Sequence, residues 1–206
     1  MTMAIGSIAA LTTAGCSTTA NGVAFPATNT ATVKDSVVPP ETHPTTNYGA
    51  PKVTRPLDTS RFLIQPCTAL NSSQLRDLDL PAQGEPDTES AIAKNVGPAC
   101  RWTNSTAGNT VGVGFLSGNP NGLDDLYRGH ERGQFNGYWI ETTVEGYPAV
   151  FFDATDGRRS GQCELAVGVS DVLAIRIGEH GQLKEKSCDR AKLIASAVVQ
   201  TLKGGR

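Results

Sequence analysis

The sequence predicts an α+β fold: an antiparallel sheet with a short N-terminal helix, a middle helix and a C-terminal helix packed on it, and two disulfides. Three observations carry this. Val111, Val113 and Phe115 alternate with glycine, and Cys163, Leu165, Val167 and Val169 alternate through QCELAVGVS, the period of half-buried strands. Gly-, Asn- and Asp-containing turns separate the strand-like runs and join antiparallel neighbours. The chain then closes on SCDRAKLIASAVVQTLKGG, where Ala191, Ile194, Ala195, Val198 and Leu202 recur at helical spacing.

The folded domain is expected over residues 57–206. RFLIQPCTALNSSQLRDLDL begins with an apolar run and reaches Cys67; Asn71, Ser72 or Ser73 then caps a short helix carrying Leu75 and Leu78. Pro81 to Pro86 reads as loop. In CRWTNSTAGNTVGVGF, Cys100 and Trp102 are two apart and share a strand face, and a Gly- and Asn-containing turn makes the stretch a hairpin. SGNPNGLDDLYRGHERGQ leads through a loop into the middle helix, begun by Asn121 or Asp124, with Leu123, Leu126 and Tyr127 on one face. YWIETTVEGYPAVFFDA supplies two strands around Glu145-Gly146, its aromatic and branched residues suiting a pleated surface. TDGRRSG is a turn. QCELAVGVS and DVLAIRIGE pair as a hairpin, and Ser187 is the expected N-cap of the last helix, with Gly204 beyond its end.

The 206 residues contain five cysteines: Cys16, Cys67, Cys100, Cys163 and Cys188. Four are dispersed through the folded part and never form C-x-x-C, which argues for bridges in an exported chain and against a zinc site. Four cysteines allow three pairings; Cys67–Cys100 and Cys163–Cys188 are favoured because each joins neighbouring elements.

Cys16 is left over. It follows Ala4 to Ala14, a small apolar run in the style of a short signal-peptide core, and stands directly after Ala14-Gly15. Small residues before a cysteine resemble the lipobox of bacterial lipoproteins, in which the thiol takes a diacylglyceryl group and a peptidase cuts just before it. Thr13 stands where that box favours Leu, and MTMAIGS has no Lys or Arg, as in a signal truncated at its start. Residues 1–15 are thus expected to be a signal peptide with lipobox, and Cys16 the lipidated residue. Residues 16–56 form a Thr/Pro-rich tether whose composition buries too little apolar surface to offset ordering entropy. Forty residues of flexible chain span roughly 35 Å.

Composition removes several function classes. A net charge of −2 supplies no phosphate-neutralising face, so nucleic acid is not an expected partner. Gly112, Gly114 and Gly118 are spaced G-x-G-x-x-x-G and lack the βαβ setting of a dinucleotide site. His130-Glu131 would need a second histidine where Gln134 stands, so no metal and no cofactor are expected. Asp153, Asp156, His180 and Ser160 supply the residue types of a hydrolase without a G-x-S-x-G elbow, which leaves no catalytic assignment. The candidate binding surface is Tyr138, Trp139, Phe151 and Phe152, with Arg158 and Arg159 beside them. Adjacent aromatics on a strand point to opposite faces, so one of each pair is left outside the other's core.

These features in sequence resemble actinobacterial envelope lipoproteins built on a domain of unknown function. The resemblance rests on the Ala14-Gly15-Cys16 box, the Thr/Pro tether, P-C-x-x-L at Pro66 to Leu70 and C-x-W at Cys100 to Trp102. It continues with Pro148-Ala149, C-x-[LV]-x-V at Cys163 to Val167, and Cys188 opening the last helix, and so covers nearly the whole chain from Cys16. It implies export, a lipid anchor on the outer face of the cell membrane and a disulfide-linked α+β domain. It implies no activity, the family having no established one. The expected function is non-enzymatic: binding an envelope protein or ligand, with a small-molecule or lipid-binding module as the alternative and a hydrolase as the weaker one.

Overall fold

Alternating residues place themselves on opposite faces of a strand, and here they build one sheet. The computed structural model describes residues 47–204; the expected signal peptide, Cys16 and the tether up to residue 46 lie outside the described residues. The strands are β1 (Glu85–Asp87), β2 (Ala99–Asn104), β3 (Asn109–Phe115), β4 (Tyr138–Val144), β5 (Tyr147–Asp153), β6 (Gln162–Ser170) and β7 (Leu173–His180). They pair antiparallel throughout, in the order β1-β2-β3-β7-β6-β5-β4. Two meanders, β1-β2-β3 and β4-β5-β6-β7, are therefore joined where β3 lies on β7, with Val113 opposite Ile177 and Gly112 opposite Gly178.

The helices are α1 (Ser60–Ile64), α2 (Ser72–Asp77), α3 (Ala91–Asn95), α4 (Leu123–Glu131) and α5 (Ser187–Gly204). One sheet face is roofed over its centre, from β2 to β6. The stripe Ala191, Ile194, Ala195, Val198 and Leu202 of α5 joins Leu165, Val167, Ile175 and Ile177 in one buried core, and Phe62, Leu70 and Leu75 extend it over β2 and β3. Each large aliphatic buried there contributes about 1.5–3 kcal/mol. No described helix is long and apolar enough to cross a membrane.

Both expected disulfides form. Cys67–Cys100 ties the 3₁₀ turn Pro66–Ala69 to β2, and Cys163–Cys188 ties the first turn of α5 to β6. The β4–β5 turn has Glu145 at φ 52° and Gly146 at φ 84°, the pair of positive values that a two-residue hairpin turn of matching twist requires. The Glu145 carboxylate accepts from the Ser196 hydroxyl, which docks this turn on α5.

Several expectations shift. The folded unit begins before Leu57: the Tyr48 and Ala50 amides donate to Asp124, the Val53 amide to Asp171, and the Leu57 amide to the Val169 carbonyl. The stretch expected as loop, Pro81 to Pro86, runs into β1, an edge strand in which Pro86 is tolerated because an edge residue needs fewer ladder bonds. Gly122, not Asn121 or Asp124, precedes α4: Asp124 is engaged by the 48–50 strap, and the Asn121 amide donates to Asp125. Ser187 is helical itself, after a 3₁₀ turn at Lys184–Lys186, with its hydroxyl buried and unpartnered, and Gly204 is the last helical residue.

Asn71 is the cap that forms. Its carboxamide oxygen accepts from the Ser73 and Gln74 amides at 3.0 Å each, while the Gln74 side chain accepts from the Asn71 amide at 2.8 Å. Asn71→Ala is expected to cost about 1 kcal/mol, read as a fall of about 2–4 °C in melting temperature. An unchanged melting temperature would mean that α2 is held by its contacts with α5 alone.

Candidate functional site

The structure divides the six sequence-singled residues between the two sheet faces. Tyr138, Phe151, Arg158 and Arg159 lie on the α5 side. Tyr138 is buried: its hydroxyl accepts from the Glu164 amide at 3.0 Å, and burial pushes its phenol up to about 12. The Arg158 guanidinium sits 4.6 Å above the Tyr138 ring and holds Asp156 through bonds of 2.8 and 2.6 Å. That hydrogen bonding brings the Asp156 carboxyl down to about 2. Phe151, Arg158 and Arg159 line a groove of about 490 Å³ with Ile140, Asp189 and Lys192. Trp139 and Phe152 are on the other face. His130 stacks on Trp139 at 4.2 Å, Phe135 packs edge-on against Phe152 at 4.9 Å, and α4 roofs both.

The residue types weighed for hydrolysis do not meet. The Ser160 hydroxyl donates to the Gly157 carbonyl, Asp153 accepts from the Ala154 amide, and Asp156 is taken by Arg158. His180 pairs instead with Glu164, at 3.2 Å. Among the described residues no three His, Cys, Asp or Glu side chains are grouped to hold a metal ion.

A second site was not singled out from the sequence, although its glycines were noticed. The face opposite α5 is roofed by α4 only over β5, β6 and part of β7, where Leu123, Leu126 and Tyr127 meet Val150, Phe152, Ala166 and Ala174. Over β2, β3 and the rest of β7 it stays open as a trough of about 330 Å³. Its floor is Gly112 and Gly114, the outward positions of β3; a Cβ added at Gly112 would meet nothing within 4 Å. One wall carries Ala99 and Arg101 of β2, the other Arg176 and His180 of β7 with Glu164 of β6. Ile92 and Val96 of the α3 region close one end, 69% and 41% exposed.

The chemistry of that wall is organised around Glu164, which is only 4% exposed although it faces the trough. A carboxylate so buried is costly unless it is paired. Arg176 donates Nε to Oε2 at 2.8 Å, and His180 Nε2 lies 3.2 Å from Oε1. Gly178 makes the arrangement possible, because a Cβ there would sit 3.0 Å from Glu164 Oε1. The Glu164 hydrogen bond raises the His180 pKa against the opposing effect of partial burial. Glu164 and Glu179 add to the rise, and Arg176 works against it. Arg101 pairs with Glu85 at 3.0 Å on the opposite rim. The result is a backbone-floored trough with guanidinium and imidazole groups held at fixed positions and an apolar end. It suits non-covalent binding; the hydroxyl in its lining, that of Thr110, donates to Thr103 at 3.3 Å.

No curated protein and no solved structure matches this chain. A family model described as "Protein of unknown function (DUF3558)" matches residues 11–201. That span runs from before Cys16 through the whole sheet and nearly all of α5, and the chain belongs to this family of proteins of unknown function.

Proposed function

We propose that this protein is an exported lipoprotein, anchored at the outer face of the cell membrane through Cys16, whose tethered domain binds an envelope ligand or partner and does no catalysis. The observation that carries the binding reading is the half-roofed sheet. One face is covered by α5 and the N-terminal helices except for the groove beside β4 and β5, whereas the other is left open over β2, β3 and part of β7 with charged side chains fixed at its edge. A purely structural domain gains nothing from an unroofed trough holding a buried carboxylate. The residues considered for hydrolysis all have other partners, which supports binding over turnover. The anchor reading is supported by the Ala14-Gly15-Cys16 box and the Thr/Pro-rich stretch after it.

The test is fractionation of the native full-length protein beside Cys16→Ala, followed by in-cell cross-linking of both. The unchanged protein is expected in the membrane fraction and Cys16→Ala in the soluble or secreted one. A specific adduct enriched only by the membrane-bound form supports the binding reading. Identical fractionation of the two forms would remove the anchor, and no enriched adduct would remove partner binding.

A further inference from the structure

We propose that the trough over β3 binds a small aromatic carboxylate, its ring on the Gly112–Gly114 floor and its carboxylate held by Arg176 and His180. This rests on the binding reading above and adds the class of ligand.

Shape argues for the ring. Alternate residues on a strand are about 7 Å apart and neighbouring strands about 4.8 Å apart. Removing the side chains at Gly112 and Gly114 therefore bares a strip roughly 7 Å long between walls that stand roughly 10 Å apart, on β2 and β7. One six-membered ring lies flat in that space against the peptide planes, and a bulky branched body does not. The apolar end formed by Ile92, Val96, Ala99 and Leu116 covers the ring's edge. Exposed apolar side chains beside a concave floor are the usual lining of a small-ligand site.

Charge argues for the carboxylate. Arg101, Arg176 and His180 border the trough, against Glu164 and Glu85. Glu164 Oε2 is taken by Arg176 and Oε1 by His180 Nε2, and Glu85 is engaged by Arg101. Arg176 uses only Nε on Glu164, so its two terminal nitrogens have no partner among the described residues, and neither has His180 Nδ1. A carboxylate arriving from solvent meets the Arg176 guanidinium, and beside it the imidazolium form of His180, already held in place by a buried counter-charge, so little side-chain ordering is left for binding to offset. A cationic ligand would find no free acceptor of opposite charge on this wall.

The test titrates the ¹⁵N-labelled full chain, as Cys16→Ala, with 3-phenylpropionate, 3-phenylpropionamide and inorganic phosphate, following the Gly112, Gly114 and Gly178 amide signals. The carboxylate is expected to give saturable shifts at these glycines, with the amide and phosphate each at least about tenfold weaker. Gly112→Val is expected to abolish the shifts at Gly114 and Gly178 without lowering the melting temperature, since a Cβ at position 112 meets no neighbouring atom within 4 Å. Phosphate binding as tightly as the phenyl carboxylate would overturn the ring. The amide binding equally well at the same glycines would overturn the charge assignment while leaving the trough a binding site. Silence from all three probes, with cross-linked adducts unaltered by Gly112→Val, would overturn both the ligand class and the trough as the binding site.

Discussion

Replacing Cys163 and Cys188 together by alanine is expected to lower the free energy of unfolding by about 3.5 kcal/mol, and replacing Cys67 and Cys100 by about 3.7 kcal/mol. The values follow from the loop each bridge closes, 25 and 33 residues of sequence separation, because a cross-link removes denatured-state entropy that grows with loop length. Both bridges join a helical segment to the sheet. Without Cys163–Cys188 the first turn of α5 is held to β6 by packing alone, and without Cys67–Cys100 the Pro66–Ala69 turn loses its covalent tie to β2. A domain of this kind is stable by about 5–15 kcal/mol in all, so losing both bridges brings it near the unfolding threshold. Urea denaturation with and without a reductant reads this directly. A midpoint moved by less than the equivalent of about 1 kcal/mol would show that the bridges stabilise little beyond the packing around them.

Arg190→Ala is expected to cost about 3–5 kcal/mol at neutral pH, far more than an ordinary helix-surface substitution. Glu179 is fully buried between β7 and the start of α5; Arg190 Nε approaches one of its oxygens at 3.2 Å, and the other oxygen has no partner. Arg190 also donates to the Leu78 carbonyl at 2.8 Å, so it links the loop after α2 to the sheet. Burial raises the Glu179 pKa and outweighs the lowering by Arg190. A carboxyl whose folded pKa lies above its unfolded value of 4.5 holds a proton that the unfolded chain releases. Its contribution to stability is therefore complete below about pH 4.5 and is lost as pH rises through the folded value. Removing Arg190 widens that gap. The cost of Arg190→Ala should thus be largest at pH 7 and shrink at pH 5, and adding Glu179→Gln should recover most of it at pH 7. Equal costs at the two pH values, unrelieved by Glu179→Gln, would mean that Arg190 acts through the Leu78 contact and its packing.

The open trough shows where sequence reading stops short. Gly112 and Gly114 alternate with Val111, Val113 and Phe115 and so take the outward face of β3. Nothing local says that this face stays unroofed, since a helix laid over β3 would have turned the same glycines into packing sites. Arg101, Glu164, Arg176 and His180 also stand at outward positions, and charged residues on three outward faces were the available signal. Combining them needs the β3–β7 pairing, which joins residues as far apart as Thr110 and His180. The aromatic pairs behaved differently. Alternation separated Tyr138 from Trp139 and Phe151 from Phe152, but which face α4 would cover was decided by where the chain crosses after β3.

By itself the sequence determined β2 to β7, their hairpins and the terminal helix, and favoured the cysteine pairs that form, because each is written in the period or proximity of residues close along the chain. The Asn71 cap, the Glu145-Gly146 turn and the α5 stripe are all of this kind. Tertiary structure decided what depends on distant pairings: the join of β3 to β7, the strap of residues 48–57 on Asp124, Asp171 and Val169, and the unroofed half of the sheet. It also decided that Glu164 lies over Gly178 between Arg176 and His180. The reason is physical. Backbone geometry sets which face a side chain takes from its immediate neighbours, whereas burial is set by whichever remote segment comes to cover that face.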